Sequence, residues 1–210
     1  KEIKFLKYSG SDFPALATGN NISYIGKNAC IFLRPEFYKA DKDACSWVLK
    51  HEISHIKHND LLLHRVVVGS CCLATSIFAK SYLSLIPALG LCLSMHLLSS
   101  FTISNWYESR ADDFAIQNSS NEELKGGKAF FMSAARSNLI YREYVASVPS
   151  AIRNLLFSEK GDNRTDFSHP SLTSRIEKIN KEIIRRNIEI IPEEEELKIK
   201  ELLHYVTRWC

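Results

Sequence analysis

The sequence predicts a mainly α-helical chain with a small N-terminal β-sheet, an α+β arrangement interrupted by a two-helix apolar hairpin. Three observations carry this. Short apolar and β-branched runs cluster in the first 40 residues, histidines recur at helical spacing from His51 to His58, and residues 66–104 contain Lys80 as their sole formal charge. At 210 residues the chain is long enough for one domain with a sizeable core together with such an insertion.

The elements follow in order. Residues 22–25 and 29–33 flank Gly26-Lys27-Asn28, the pattern of a β-hairpin. Asp41 or Asp43 is placed to cap a helix running from about Ala44 through Asn59. Along it Trp47, His51, His55 and His58 share one face, which is therefore polar and rich in histidine. The apolar stretch then divides in two. Its first part, 66–79, is 14 residues long and reaches 19 if it begins at Leu61, and its second, 82–104, is 23 residues long. A bilayer-spanning helix needs about 20 apolar residues, so the second part qualifies and the first is marginal. Lys80-Ser81 supplies the turn. Arg65 and Arg110 flank the open end, and the positive-inside bias then places the bulk of the chain on the cytoplasmic side of an inner, cytoplasmic membrane. The competing reading is a buried hairpin in a soluble protein; membrane insertion is the expectation adopted.

Beyond the hairpin, 105–117 reads as a helix, 118–121 as a polar break and 124–157 as largely helical, with Gly126-Gly127 expected to interrupt it. A loop, 158–170, leads to a charged helix over 172–187, and Pro192 opens a last helix with four glutamates near its positive end. The expected segments are thus 1–65, 66–104, 105–191 and 192–210. The chain opens on Lys1 rather than Met, without a secretory leader, and an upstream segment is expected.

The net charge of +3 is small and scattered, with no Lys/Arg cluster interleaved with aromatics, which excludes nucleic acid as an expected partner. The six cysteines form no CxxC pair, and Cys71-Cys72 lies in the apolar run, so they read as reduced thiols.

The chemistry concentrates in HEISH, residues 51–55. On a helix, residues four apart share a face, so His51 and His55 can aim two imidazole nitrogens at one ion, with Glu52 beside it as a base. This HExxH pattern fits zinc, Zn2+, with a position left open for chemistry. Chance produces the pattern too, so a third ligand is required. The position ten residues after His51 is Leu61, and His58, Asp60 and His64 fall at unsuitable spacings. Asp60 reads instead as a residue that caps or orients something near the helix end. Better placed is NWYESRADD, where Glu108 can offer a carboxylate oxygen and Asp112, one turn on, can accept the Nδ1–H of a ligand histidine. The plain alternative is that Glu108 and Asp112 are surface charges.

HEISHIKHND, the apolar hairpin, ESRAD and DFSHPSLTSRI occur in the order that resembles the HtpX-like and Oma-type membrane zinc metalloproteases, relatives of the CAAX prenyl protease. The resemblance extends from about Phe13 to Ile176. It implies a zincin-like metalloprotease domain in which His51, His55 and Glu108 hold zinc, Glu52 is the catalytic base, and Asp112 supports a ligand histidine. It also implies that His169 and Arg175 act as transition-state and structural supports near the metal. Without it, His169 reads as a loop histidine locked by Pro170 and Arg175 as a helix-surface charge. FPALAT, residues 13–18, resembles the family's edge strand along the cleft, which makes Ala15, Leu16 and Ala17 substrate-binding candidates and polypeptides the expected partners, beside the lipid bilayer. Misfolded or membrane proteins are the implied substrates. Oligomeric state is left open. The alternative function is a catalytically silent, membrane-tethered zinc-binding adaptor or sensor.

Overall fold

The computed structural model of the chain describes residues 3–7, 15–18, 29–33, 37, 39 and 41–188. Three strands, β1 (Ile3–Lys7), β2 (Ala15–Thr18) and β3 (Ala29–Leu33), form a sheet in the order β1-β3-β2. β1 runs parallel to β3, and β2 runs antiparallel to it. Over Cys30 to Leu33, β3 is paired on both sides, with Lys4 to Lys7 and with Thr18 to Ala15. The expected strand over 29–33 is present as β3, and its expected hairpin partner, 22–25, lies outside the described residues.

Asp41 caps α1 (Lys42–His58), its side chain accepting from the backbone N–H groups of Asp43 and Ala44. The helix stops at Asn59, whose left-handed φ of 57° lets its N–H reach back to the carbonyls of His55 and Ile56. Asparagine is among the few residues that take this conformation cheaply. One residue later a second helix begins, so the histidine helix feeds directly into the apolar hairpin.

α1 lies between the sheet and the remaining helices. On one side Ile56 packs with Ala29 and Ile31, with Leu49 and Ile53 against them. On the other, Cys45, Trp47 and Val48 enter the main core with residues of α3 (Leu85–Asn118), α4 (Asn121–Tyr144) and α6 (Leu172–Arg185). A capping box at Ser120 opens α4, and its Glu123 also binds Ser46 and Lys50, tying α4 to α1. A short helix, α5 (Ser150–Leu156), precedes the loop to α6. The expected helix from Pro192 lies outside the described residues.

The hairpin consists of α2 (Asp60–Tyr82) and the first two thirds of α3, turning at Leu83-Ser84 rather than at Lys80-Ser81. Both helices are long and apolar enough to cross a membrane, and almost none of either apolar stretch is buried. Leu73, Ile77, Ile86, Leu89, Leu93 and Leu97 face outward, so this is not the buried hairpin of a soluble core. Polar groups lie along the seam between the two helices. His64 meets Ser100 at 3.2 Å, Cys72 meets His96 at 3.4 Å, and Ser76 meets Cys92 at 3.5 Å. Interhelical hydrogen bonds of this kind hold apolar helices together where lipid offers no polar partner. The expected separate helix over 105–117 is the continuation of α3, which has 34 residues without a break. Among the described residues Cys30, Cys45, Cys71, Cys72 and Cys92 are free thiols.

Gly126-Gly127 does not interrupt α4. A Cβ on Gly126 would lie 2.4 Å from the backbone nitrogen of Ala44, and one on Gly127 would lie 2.6 Å from the Trp47 ring. The pair lets α4 touch α1 where the core is tightest. Alanine favours helix by about 1 kcal/mol over glycine, yet overpacking against backbone costs about 1–3 kcal/mol, so the clash wins. Gly126→Ala is expected to lower the thermal unfolding midpoint by several degrees; an unchanged or raised midpoint would show that the close approach is not binding on the fold.

Candidate metal centre

His51 and His55, one turn apart on α1, and Glu108 on α3 converge on one point. His51 Nε2 lies 3.1 Å from His55 Nε2 and 3.2 Å from Glu108 Oε2, and His55 Nε2 lies 3.3 Å from Glu108 Oε1. Tetrahedral zinc bound at about 2.0–2.1 Å places its ligands about 3.3–3.4 Å apart, so this spacing fits such an ion. The group is the one set of metal-compatible side chains found among the described residues.

The outer nitrogens explain why the inner ones point inward. His51 Nδ1 donates to Asp112 Oδ1 at 2.9 Å, and His55 Nδ1 donates to Asp60 Oδ2 at 2.9 Å. A carboxylate only accepts, so each Nδ1 carries the proton and each Nε2 can offer a lone pair. Asp112 is in turn gripped by Arg175, whose Nε and Nη2 donate to its two oxygens at 2.8 and 2.6 Å. Arg175 Nη2 also lies 3.6 Å from Glu108 Oε2. Asp60 is held by Arg110, which stacks over Trp106.

Without metal, the converging carboxylates draw protons onto the imidazoles. Burial alone lowers the pKa of His51, but Asp112 and Glu108 outweigh it and hold it above its ordinary value. For His55 burial is likewise overcome, by Asp60, Glu108 and Glu52, and its pKa is pushed up to about 10. Glu52, half-buried, thus lies close enough to His55 for its charge to be felt.

His169 sits at the rim. Its Nε2 is 3.8 Å from Glu108 Oε1, and its Nδ1 lies 2.9 Å from Asp166 Oδ2. Burial raises the Asp166 pKa, but hydrogen bonds from His169 and Ser168 hold it below the usual carboxylate value. The sequence-predicted residues His51, Glu52, His55, Glu108, Asp112, His169 and Arg175 are therefore brought together around one point. Ala15, Leu16 and Ala17 lie on β2, at an edge of the sheet among the described residues and beside α1. His58 bonds its own helix at Ser54 and takes no part. Sequence reasoning gave no role to Asp166, the first residue of DFSHPSLTSRI, and none to Arg110 as the support of Asp60. An aspartate three residues before His169 is the one local signal that offered the former.

The family model of peptidase family M48 matches residues 23–183. No curated protein and no solved structure gives a significant match.

Metal must displace the protons that these histidines hold, so the apparent affinity is expected to fall as pH falls below about 10, where His55 takes up its second proton. Chelator-competition titrations measure this; an affinity independent of pH would contradict it. Asp60→Asn, which leaves the His55 tautomer unspecified, is expected to weaken zinc binding by about 10–100-fold in the same titration.

Proposed function

Since the chain belongs to peptidase family M48, a family of metallopeptidases, we propose that it is a zinc-dependent endopeptidase cleaving misfolded or membrane proteins at a membrane surface. The observation that carries this is the convergence of His51, His55 and Glu108 at tetrahedral spacing, with Glu52 adjacent. Those three residues would hold the zinc. When bound, zinc supplies Lewis-acid polarisation of the scissile carbonyl and activation of water near neutral pH. Glu52 takes the proton of the attacking water and later delivers it to the leaving amine. His169, kept in place by Asp166 at its Nδ1–H, would in its doubly protonated form donate its Nε2–H to the oxygen that becomes negative as the carbonyl is attacked. Arg175 and Asp112 hold His51 in register and place a positive charge beside Glu108.

Two helices long and apolar enough to cross a membrane support membrane association. We read them as a hairpin inserted in a zincin-like protease domain of multi-pass topology, and the positive-inside bias of Arg65 and Arg110 puts the site on the cytoplasmic side. In domain terms, residues 1–65 supply the sheet and the HExxH helix, 66–104 the hairpin and 105–191 the third ligand and its supports, while 192–210 lie outside the described residues. β2 is an edge strand among the described residues, and an extended polypeptide would add to it through backbone pairing at Ala15, Leu16 and Ala17, with weak sequence preference.

Glu52→Gln is expected to retain zinc and to lose at least about 100-fold of hydrolysis of a casein-like substrate; retained cleavage would remove Glu52 as the base. A silent adaptor or sensor would hold zinc yet show no chelator-sensitive cleavage even unsubstituted. Glu108→Ala should lower zinc stoichiometry in elemental analysis, and unchanged stoichiometry would exclude Glu108 from the ligands. Proline at Leu16 or Ala17 should raise KM while zinc stays bound.

A further inference from the structure

The turn that carries His169 leans on the apolar hairpin. Asn105 Nδ2 donates to the backbone oxygen of Phe167 at 2.5 Å, and the Phe167 ring lies 5.5 Å from that of Phe101, centroid to centroid. Phe101 lies within the apolar run and Asn105 is the first residue past its end. Within the turn, Asp166 accepts from the backbone N–H and the hydroxyl of Ser168 at 3.1 and 2.7 Å and from His169. The turn is thus tied together from within, with Phe167 turned outward and His169 turned to Glu108. Phe167 is 57% exposed, and so is Trp106, the residue after Asn105 on α3. Arg110 stacks on one face of Trp106 and Phe101 meets Phe167, and both rings otherwise stay open to the surroundings.

Phe167 continues from the hairpin through Phe101, itself 37% exposed, and Trp106 lies just past the point where the apolar run gives way to polar sequence. Tryptophan gathers at this level because its ring is amphipathic, and phenylalanine serves as an apolar anchor of segments that lie at the headgroup boundary. From Phe101 to Glu108 is seven residues, about 10 Å along a helix. We propose that Phe167 and Trp106 seat the His169 turn in the headgroup layer of a phospholipid bilayer, so that the membrane itself holds His169 over the metal centre. This rests on the membrane reading above. Phe167 is then a positioning residue, acting through His169, and the bilayer is its partner.

The test uses the full chain in phosphatidylcholine/phosphatidylglycerol liposomes, with soluble peptide as substrate. Phe167→Trp should add emission that is quenched more by lipids brominated near the headgroup end of the acyl chain than by those brominated near its tail. Phe167→Ser should lower kcat by at least about tenfold with KM and zinc stoichiometry unchanged, and Phe167→Trp should restore it. An added emission that no brominated lipid quenches, or a parental kcat in Phe167→Ser, overturns the proposal. If the unsubstituted protein fails to float with liposomes, the membrane reading falls and takes this proposal with it. If it floats but cleaves nothing, only the peptidase reading falls and the quenching result decides.

Discussion

Asp112 is the point on which the arrangement turns. Its side chain is almost wholly buried, and it accepts from His51 of α1 and, through both oxygens, from Arg175 of α6. Arg175 in turn lies over the Phe131 ring of α4, 4.2 Å from its centroid. Four helices therefore meet at one carboxylate. A buried charge of this kind is tolerable only with its partners in place, and removing one costs about 3–5 kcal/mol. The ion pair is weak evidence of net stability, since burying it carries its own desolvation cost. Its consequence is positional. α3 cannot slide by a turn against α1 without leaving Asp112 or His51 unpaired, so Glu108, one turn from Asp112, is held at the height of the two imidazoles.

The two histidines are supported alike and anchored differently. His51 is set by Asp112 from within the core. His55 is set by Asp60, the first residue of α2, which Arg110 binds from α3 while stacking over Trp106 and Tyr107 at 4.6 and 5.3 Å. One metal-facing nitrogen thus takes its direction from the packed domain and the other from the base of the apolar hairpin. The geometry of the pair depends on both bodies being correctly joined, and the single left-handed residue Asn59 makes that joint short.

What was legible in the sequence is what a helix repeats. His51, Glu52 and His55, and likewise Glu108 and Asp112, stand at helical spacings, and their placement needed only the period of the helix and the residue types. The Asp41 cap was legible for the same local reason. The rest depends on contacts distant in the chain. Gly126-Gly127 reads locally as a helix breaker and is instead a close approach to Ala44 and Trp47. Residues 29–33 read locally as a strand, while its central place among the described strands is fixed by β1 and β2. Arg175 is on a charged amphipathic helix, and nothing local distinguishes it from its neighbours; only the family resemblance pointed to it. The roles of Asp166 and Phe167 were invisible because a loop's direction is fixed by what it docks against.

The unbroken course of α3 was also hidden, since composition changes sharply at Ser104 while the backbone does not. That continuity has a mechanical consequence. A helix keeps its rise of about 1.5 Å per residue because each residue is tied to the carbonyl four before it, and a sharp bend needs a proline, a glycine pair or an inserted group. Between Phe101 and Asp112 the sequence, FTISNWYESRAD, contains none of these residues. The distance from the end of the apolar run to Glu108 is therefore set by residue count and not by a flexible linker. In the membrane topology proposed here, the depth of the hairpin in the bilayer fixes the height of the metal centre above it. A polypeptide must then present its scissile bond close to the headgroups, and selection by reach precedes selection by side chain.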